Sequence, residues 1–333
     1  MNFVISVVNM QINAGEETWP LVKPFRISRG TRTEASVVVV TATDGRHTGR
    51  GEGIPIKRYN QTAASALAEI ESIKRAPNLN RDQLQNLLPA GAARNAMDCA
   101  LWDLEAKISG KRAWELANIS VAPEAETTFT ISLDTPEVMA AAAKAVASLP
   151  ILKLKLGGDH ADVRRVEAVR EAAPKARILV DANESWTETH YRQVVPSVAE
   201  LAVELIEQPF PADADGILET LAHPIPVCAD ESCHTAADLP GLKNRYEVVN
   251  IKLDKTGGLT EALRLAEGAR QASFKLLIGC MVCTSLGIAP ARLLASTADW
   301  VDLDGSLLLG RDRDHCIRYR NGKMGLPPRK LWG

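Results

Sequence analysis

Two patterns of apolar and polar positions divide the chain. Up to about residue 120, strand-like runs come first. VVVVTATDGRHTGRGEG, residues 37–53, reads as a hairpin with Asp44-Gly45 at its turn. Apolar positions then recur at helical spacing through TAASALAEIESIKRA and AARNAMDCALWDLEAKISG, and the second run stops at Gly110, where a helix C-terminus favours glycine. Strands followed by helices predict an α+β domain over residues 1–120.

From about residue 127 the period changes. Short apolar strands alternate with helical stretches: TTFTISL, ILKLKLGG, RILVDANESW, LAVELIEQP, IPVCADES, EVVNIKLDKTGG, FKLLIGCM and VDLDG. Polar residues near the strand ends fall at 130, 155, 181, 207, 230, 252, 280 and 304, spaced by 22 to 28 residues. That spacing is one βα unit. Eight consecutive units, with no G-x-G-x-x-G after the first strand, predict an α/β fold with a (β/α)8 TIM-type barrel over residues 121–305. A tail of alternating character, residues 306–333, is expected to return to the N-terminal domain.

Composition narrows the function. The 333 residues are 46% hydrophobic and 24% charged, with a formal net charge of −2, so there is no basic field for nucleic acid. The first residues, MNFVISVVNMQINAGEE, lack the basic start and cleavage site of a leader, and no run approaches the ~18 apolar residues of a membrane span. Six scattered cysteines suit reduced thiols; CMVC at 280–283 has no second pair and is read as packing. A cytoplasmic protein with no nucleic-acid or membrane partner is expected, with monomer and homo-oligomer both open.

In a barrel, the C-terminal strand ends converge on one mouth. Strand two brings Lys153 and Lys155, strand three Asp181, strand four Glu207, strand five Asp230, strand six Lys252 and strand eight Asp302 with Asp304. Three acids on successive strands repel one another unless a cation sits among them, and all-oxygen ligands favour Mg2+. Lysines four strands apart face each other across the mouth. Near a metal and partly buried, their pKa values are expected to fall, giving two bases on opposite faces of one carbon. Strand parity selects Lys252 and leaves Lys255 to a loop or to support behind the site residues.

These residues resemble the enolase superfamily in its muconate-lactonizing-enzyme branch, and within it the dipeptide epimerases, especially those acting on L-Ala-D/L-Glu. GAARNAMDCALWDL, VDANESW, CADESCHT, NIKLDKTGGLTEAL and GCMVCTS carry the likeness over essentially the whole chain. The resemblance implies an N-terminal capping domain on a modified barrel, with one Mg2+ per subunit held by Asp181, Glu207 and Asp230. It assigns Lys155 and Lys252 as catalytic bases and Lys153 to the substrate carboxylate, with proton transfer through a metal-stabilised enediolate. Asp302 and Asp304 would bind the free ammonium of a dipeptide, with Thr130 and Cys280 lining the site. A cap-loop arginine would receive the acidic side chain: FRISRGTRTE offers Arg26, Arg29 and Arg32, of which Arg29 is favoured by alignment of KPF. The implied reaction converts L-Ala-D-Glu to L-Ala-L-Glu, in recycling of cell-wall (murein) peptides. Alternatives are another cycloisomerase or dehydratase of the superfamily, such as o-succinylbenzoate synthase, and a Schiff-base barrel lyase.

Overall fold

The alternating runs of the N-terminal region become an antiparallel sheet of β1 (Gln11–Ile27), β2 (Gly30–Thr43) and β3 (Thr48–Gly53), in that order. A computed structural model describes residues 10–333; most of the N-terminal stretch used for the leader reading lies outside the described residues. At the β2–β3 turn the Asp44 carboxylate accepts bonds from the backbone N–H groups of Arg46 and His47, and Gly45 takes a φ of 91°. Three helices pack beside the sheet: α1 (Ala63–Ile73), α2 (Arg81–Leu87) and α3 (Ala92–Ser109). Thr62 and Ser65 form a reciprocal cap at the start of α1, and Gly110 ends α3 in the left-handed conformation.

Close approach of β3 to α3 depends on alternate glycines. A Cβ at Gly49, Gly51 or Gly53 would collide with the carbonyl oxygens of Ala100, Ala96 and Ala92 respectively. Period two in the strand thus lays a smooth face against the helix backbone.

After the short β4 (Ala125–Glu126) comes the barrel. Its strands are β5 (Phe129–Ile131), β6 (Ile151–Lys155), β7 (Arg177–Asp181), β8 (Val203–Glu207), β9 (Val227–Ala229), β10 (Val248–Ile251), β11 (Lys275–Gly279) and β12 (Trp300–Asp302). They are parallel and paired in sequence order from β5 to β12. A backbone bond from Thr128 N to Val301 O, 2.9 Å, links the two ends, so the ring is nearly closed. Helices Pro136–Ala145, Asp162–Ala172, Glu188–Glu200 and Leu259–Gln271 cover the outside. The two most closely spaced units instead carry a 3-10 turn at Asp215–Thr220 and the four-residue helix Leu239–Leu242.

Leu152, Leu154 and Leu156 bury their side chains in the layer between strands and helices. Inside the barrel, Ile151, Leu179, Leu205, Cys228, Val248, Leu277 and Trp300 make an apolar floor. The tail carries β13 (Tyr319–Arg320) and β14 (Lys323–Met324), and β14 pairs with β4. Its end reaches α3: Trp332 Nε1 donates to the Cys99 carbonyl at 2.9 Å, and Gly333 N to Asp103 Oδ1 at 2.7 Å. Among the described residues no helix is long and apolar enough to cross a membrane.

Candidate active site

Two residues beyond each floor position, the same inward face of the same strand presents the mouth. The floor residues are followed in this way by Lys153, Asp181, Glu207, Asp230, Asn250, Gly279 and Asp302. One more step of two adds Lys155 and Lys252. Asp181 and Glu207 are register partners on β7 and β8.

Lys153, 1% exposed, places its Nζ 2.6 Å from Asp302 Oδ2, 2.6 Å from Glu207 Oε2 and 3.3 Å from Asp181 Oδ2. Lys155 donates to Asp181 Oδ2 at 2.5 Å. Lys252 donates to Asp230 Oδ2 at 2.5 Å and lies 3.7 Å from Glu207 Oε1. Lys155 and Lys252 therefore reach the acidic trio from opposite ends, four strands apart. Asn250 donates to Glu207 Oε1 at 2.8 Å.

The carboxylates alone, with no cation among them, govern the titration of these lysines. Burial pushes Lys252 down, but Asp230 and Glu207 outweigh it and raise the ammonium above its ordinary value. Lys153 is likewise raised, by Asp302, Glu207 and Asp181 against burial. Carboxylates in direct contact overcome desolvation. Asp181 shows the reciprocal effect: burial works to raise it, while Lys155 and Lys153 bring it down to about 2.

The lysines lie among the acids, and among the described residues no three His, Cys, Asp or Glu groups stand at metal-binding spacing. The donor set nevertheless fits a hard cation. Asp181, Glu207 and Asp230 are at most 3% exposed, and Glu207 Oε2 and Asp230 Oδ1 receive no hydrogen bond. Lys153 and Lys255 approach those two oxygens at 2.6 and 2.7 Å as ion pairs without donating along a hydrogen-bond direction. Buried anionic oxygens without a directed donor are what a divalent ion satisfies.

At the closing edge, Thr128 Oγ1 donates to Asp302, and Thr130 N donates to Asp304 Oδ2 at 2.6 Å. Burial and the neighbouring Asp302 push Asp304 up to about 7. Thr130 is buried, in register with Lys153. Cys280 packs its sulfur on the turn after Asp304, where a Cβ on Gly305 would be 3.0 Å away.

The profile of the mandelate racemase/muconate lactonizing enzyme N-terminal domain matches residues 9–117, and the enolase C-terminal domain-like profile matches residues 137–329. The chain belongs to the mandelate racemase/muconate lactonizing enzyme group of the enolase superfamily. It is 45% identical to the L-Ala-D/L-Glu epimerase of Escherichia coli over 93% of this chain and 98% of that protein. It is 44% identical to an N-acetyl-D-glutamate racemase of a Pseudoalteromonas species, over 89% of this chain and 95% of that one. An enolase-family crystal structure from Agrobacterium tumefaciens, with homology to dipeptide epimerases and with sodium and L-Ala-L-Glu bound, superposes with a TM-score of 0.95. Their sequences are 47% identical, covering 97% of this chain and all of that one. A dipeptide epimerase of Enterococcus faecalis complexed with Mg and L-Leu-L-Tyr superposes at 0.89 with 29% identity, over 95% of this chain and 96% of that chain.

Within this enolase-superfamily frame the cap-loop arginines differ in what holds them. Arg29 is already engaged: Nη1 donates to the Asn183 carbonyl at 2.8 Å, and the side chain pairs with Glu184 and Glu231 at 2.9 and 2.5 Å. Arg32 makes no ion pair among the described residues, and desolvation with the neighbouring Arg29 holds its guanidinium below the usual value. Lys255, left by parity to a loop or to support behind the site, takes the supporting place: it is 1% exposed and donates to the carbonyls of Asp230 and Asn250. Gly279 leaves space for the base: a Cβ there would come within 2.5 Å of Asn250 Oδ1 and 3.0 Å of Lys252 Cε. Counting two residues on from each floor position would have flagged Asn250 and Gly279. Nothing in the sequence ranks Arg32 above Arg29.

Proposed function

We propose that the protein is an isomerase that inverts the α-carbon of the C-terminal residue of a dipeptide, L-Ala-D-Glu to L-Ala-L-Glu, by 1,1-proton transfer. The observation that carries this reading is the approach of Lys155 and Lys252 from opposite ends to one buried set of carboxylates. Lysines so opposed suit removal of a proton on one face and its return on the other. The E. coli epimerase and the L-Ala-L-Glu complex support the substrate.

Lys153, held in the floor of the mouth, is placed to meet the substrate carboxylate and its growing negative charge. Asp181, Glu207 and Asp230 would hold a divalent ion, Mg2+ by their all-oxygen chemistry, one per subunit, to oppose the charge of the enediolate. Asp304, with Asp302 beside it, offers a carboxylate to the dipeptide's ammonium. Arg32 is the cation still open to the Glu side chain, while Arg29 braces the loop. Six free cysteines support a cytoplasmic setting, where such a reaction would serve the breakdown of cell-wall peptides that contain D-Glu.

The racemase relative favours a second substrate of the same shape, an N-acyl glutamate without the ammonium. Proton NMR in D2O separates the two. L-Ala-L-Glu should lose its Glu α-proton signal with inversion, EDTA should stop the exchange, and N-acetyl-glutamate should exchange far more slowly. Faster turnover of N-acetyl-glutamate would reassign the substrate; no exchange with either would sink the proposal.

A further inference from the structure

Outside the proton-transfer machinery, one carboxylate gathers two arginines from separate parts of the cap. Glu184 follows β7 in VDANES, and its side chain is 6% exposed. Its Oε2 accepts Arg29 Nη1 at 2.9 Å and Arg58 Nε at 3.0 Å. Its Oε1 accepts Arg58 Nη2 at 3.1 Å and the backbone N–H of Ala212, beyond β8, at 2.9 Å. Arg29 belongs to the β1–β2 turn, and Arg58 to the turn Lys57–Tyr59 after β3. Neighbouring contacts hold the same turn down. Ser28 Oγ donates to the Asn183 carbonyl at 3.0 Å, and Leu133 N to the Arg26 carbonyl at 3.0 Å.

The backbone under this junction is unusual. Asn183 and Glu184 are consecutive non-glycine residues with φ of 46° and 66°, a conformation L-residues seldom adopt twice running. That turn points the Asn183 carbonyl and the Glu184 carboxylate at the cap. Isolated exposed ion pairs hold little, but a largely buried carboxylate with both oxygens shared among three chain segments is geometrically demanding.

We propose that Glu184 is a positioning residue, a latch that fastens both cap turns over the barrel mouth. By neutralising Arg29 and Arg58 it leaves Arg32 as the cation that selects an acidic second residue. Glu184 touches no reacting atom and acts through the β1–β2 turn, which leads into the start of β2 where Arg32 sits. This deepens, and rests on, the dipeptide reading above.

Glu184→Gln keeps the shape and removes the charge, and Arg58→Met removes one partner from the cap side. Two measurements on the full-length protein test the latch: kcat and KM for L-Ala-L-Glu, and the rate of trypsin cleavage after Arg29 and Arg32 without substrate. Each variant should raise KM about tenfold with kcat within about twofold, and the double variant should be no worse than Glu184→Gln alone. Cleavage in the turn should quicken about tenfold while global unfolding stays unchanged. KM within about twofold of the parent in both variants, or kcat falling while KM holds, would overturn the latch. If the parent protein fails to epimerise the dipeptide, the substrate reading falls by itself. Proteolysis still decides the latch in that case, and an unchanged cleavage rate overturns it.

Discussion

Lys155 and Lys252 bear the acid–base work of the proposed reaction, so alanine at either position should lower the rate of inversion by about a thousandfold or more with the fold intact. Deuterium uptake at the Glu α-carbon measures this. Full activity in either variant would remove that lysine from the mechanism. A second residue-scale expectation concerns Asp98, fully buried on α3, where it accepts bonds from Thr260 N and Oγ1 and from Gln85. Burial pushes its carboxyl up to about 6, against the hydrogen bonds from Thr260. The folded-state value lies above that of the unfolded chain, so its stability contribution is fully present below about pH 4 and is lost as pH rises through about 6. Relative to Asp98→Asn, the parent should lose about 2 kcal/mol of unfolding free energy between pH 4 and pH 7, measured by urea titration. Parallel pH curves for the two proteins would show that Asp98 does not carry the shift. At this scale, strand parity made the lysines and acids legible in the sequence. The sequence offered Arg32 beside Arg29 but could not rank it first, because pairing of Arg29 with Glu184 and Glu231 joins residues more than 150 positions apart.

Glycines make the same chemical change mean different things in different elements. Gly51→Ala puts a methyl group into the α3 backbone at Ala96 and should cost about 1–3 kcal/mol of stability. Gly279→Ala meets the side chains of Asn250 and Lys252 first, rather than a helix backbone, so it should spare the melting temperature and lower kcat roughly 100-fold by displacing a base. Thermal unfolding and kinetics on both variants check the contrast, and activity loss in Gly51→Ala without destabilisation would contradict it. The hairpin at 37–53 and the helix ending at Gly110 were readable from local pattern, since turn chemistry and capping act within a few residues. The role of the alternate glycines in GRGEG was not, because it depends on a helix about 45 residues away.

For the whole molecule, repeat spacing revealed the barrel and the shorter units showed where full helices give way to turns. The raised lysine pKa values were beyond it, since they depend on the distances at which carboxylates meet ammonium groups across strands. If Asp181, Glu207 and Asp230 hold a divalent ion in the folded state alone, Mg2+ at a hundred times its Kd should stabilise the protein by about 2.7 kcal/mol. A rise of several degrees in melting temperature should register this and vanish in Asp230→Asn. An unchanged melting temperature at millimolar Mg2+ would count against the site.

The apolar floor has a consequence for traffic. Ile151, Leu179, Leu205, Cys228, Val248, Leu277 and Trp300 shut the far end of the barrel, so it has one door. Product must leave along the path by which substrate entered, past the β1–β2 hairpin that carries Arg32. Both enantiomers at that carbon share the same exit, and neither direction of the reaction has a private route. Departure therefore passes the same few cap contacts as arrival.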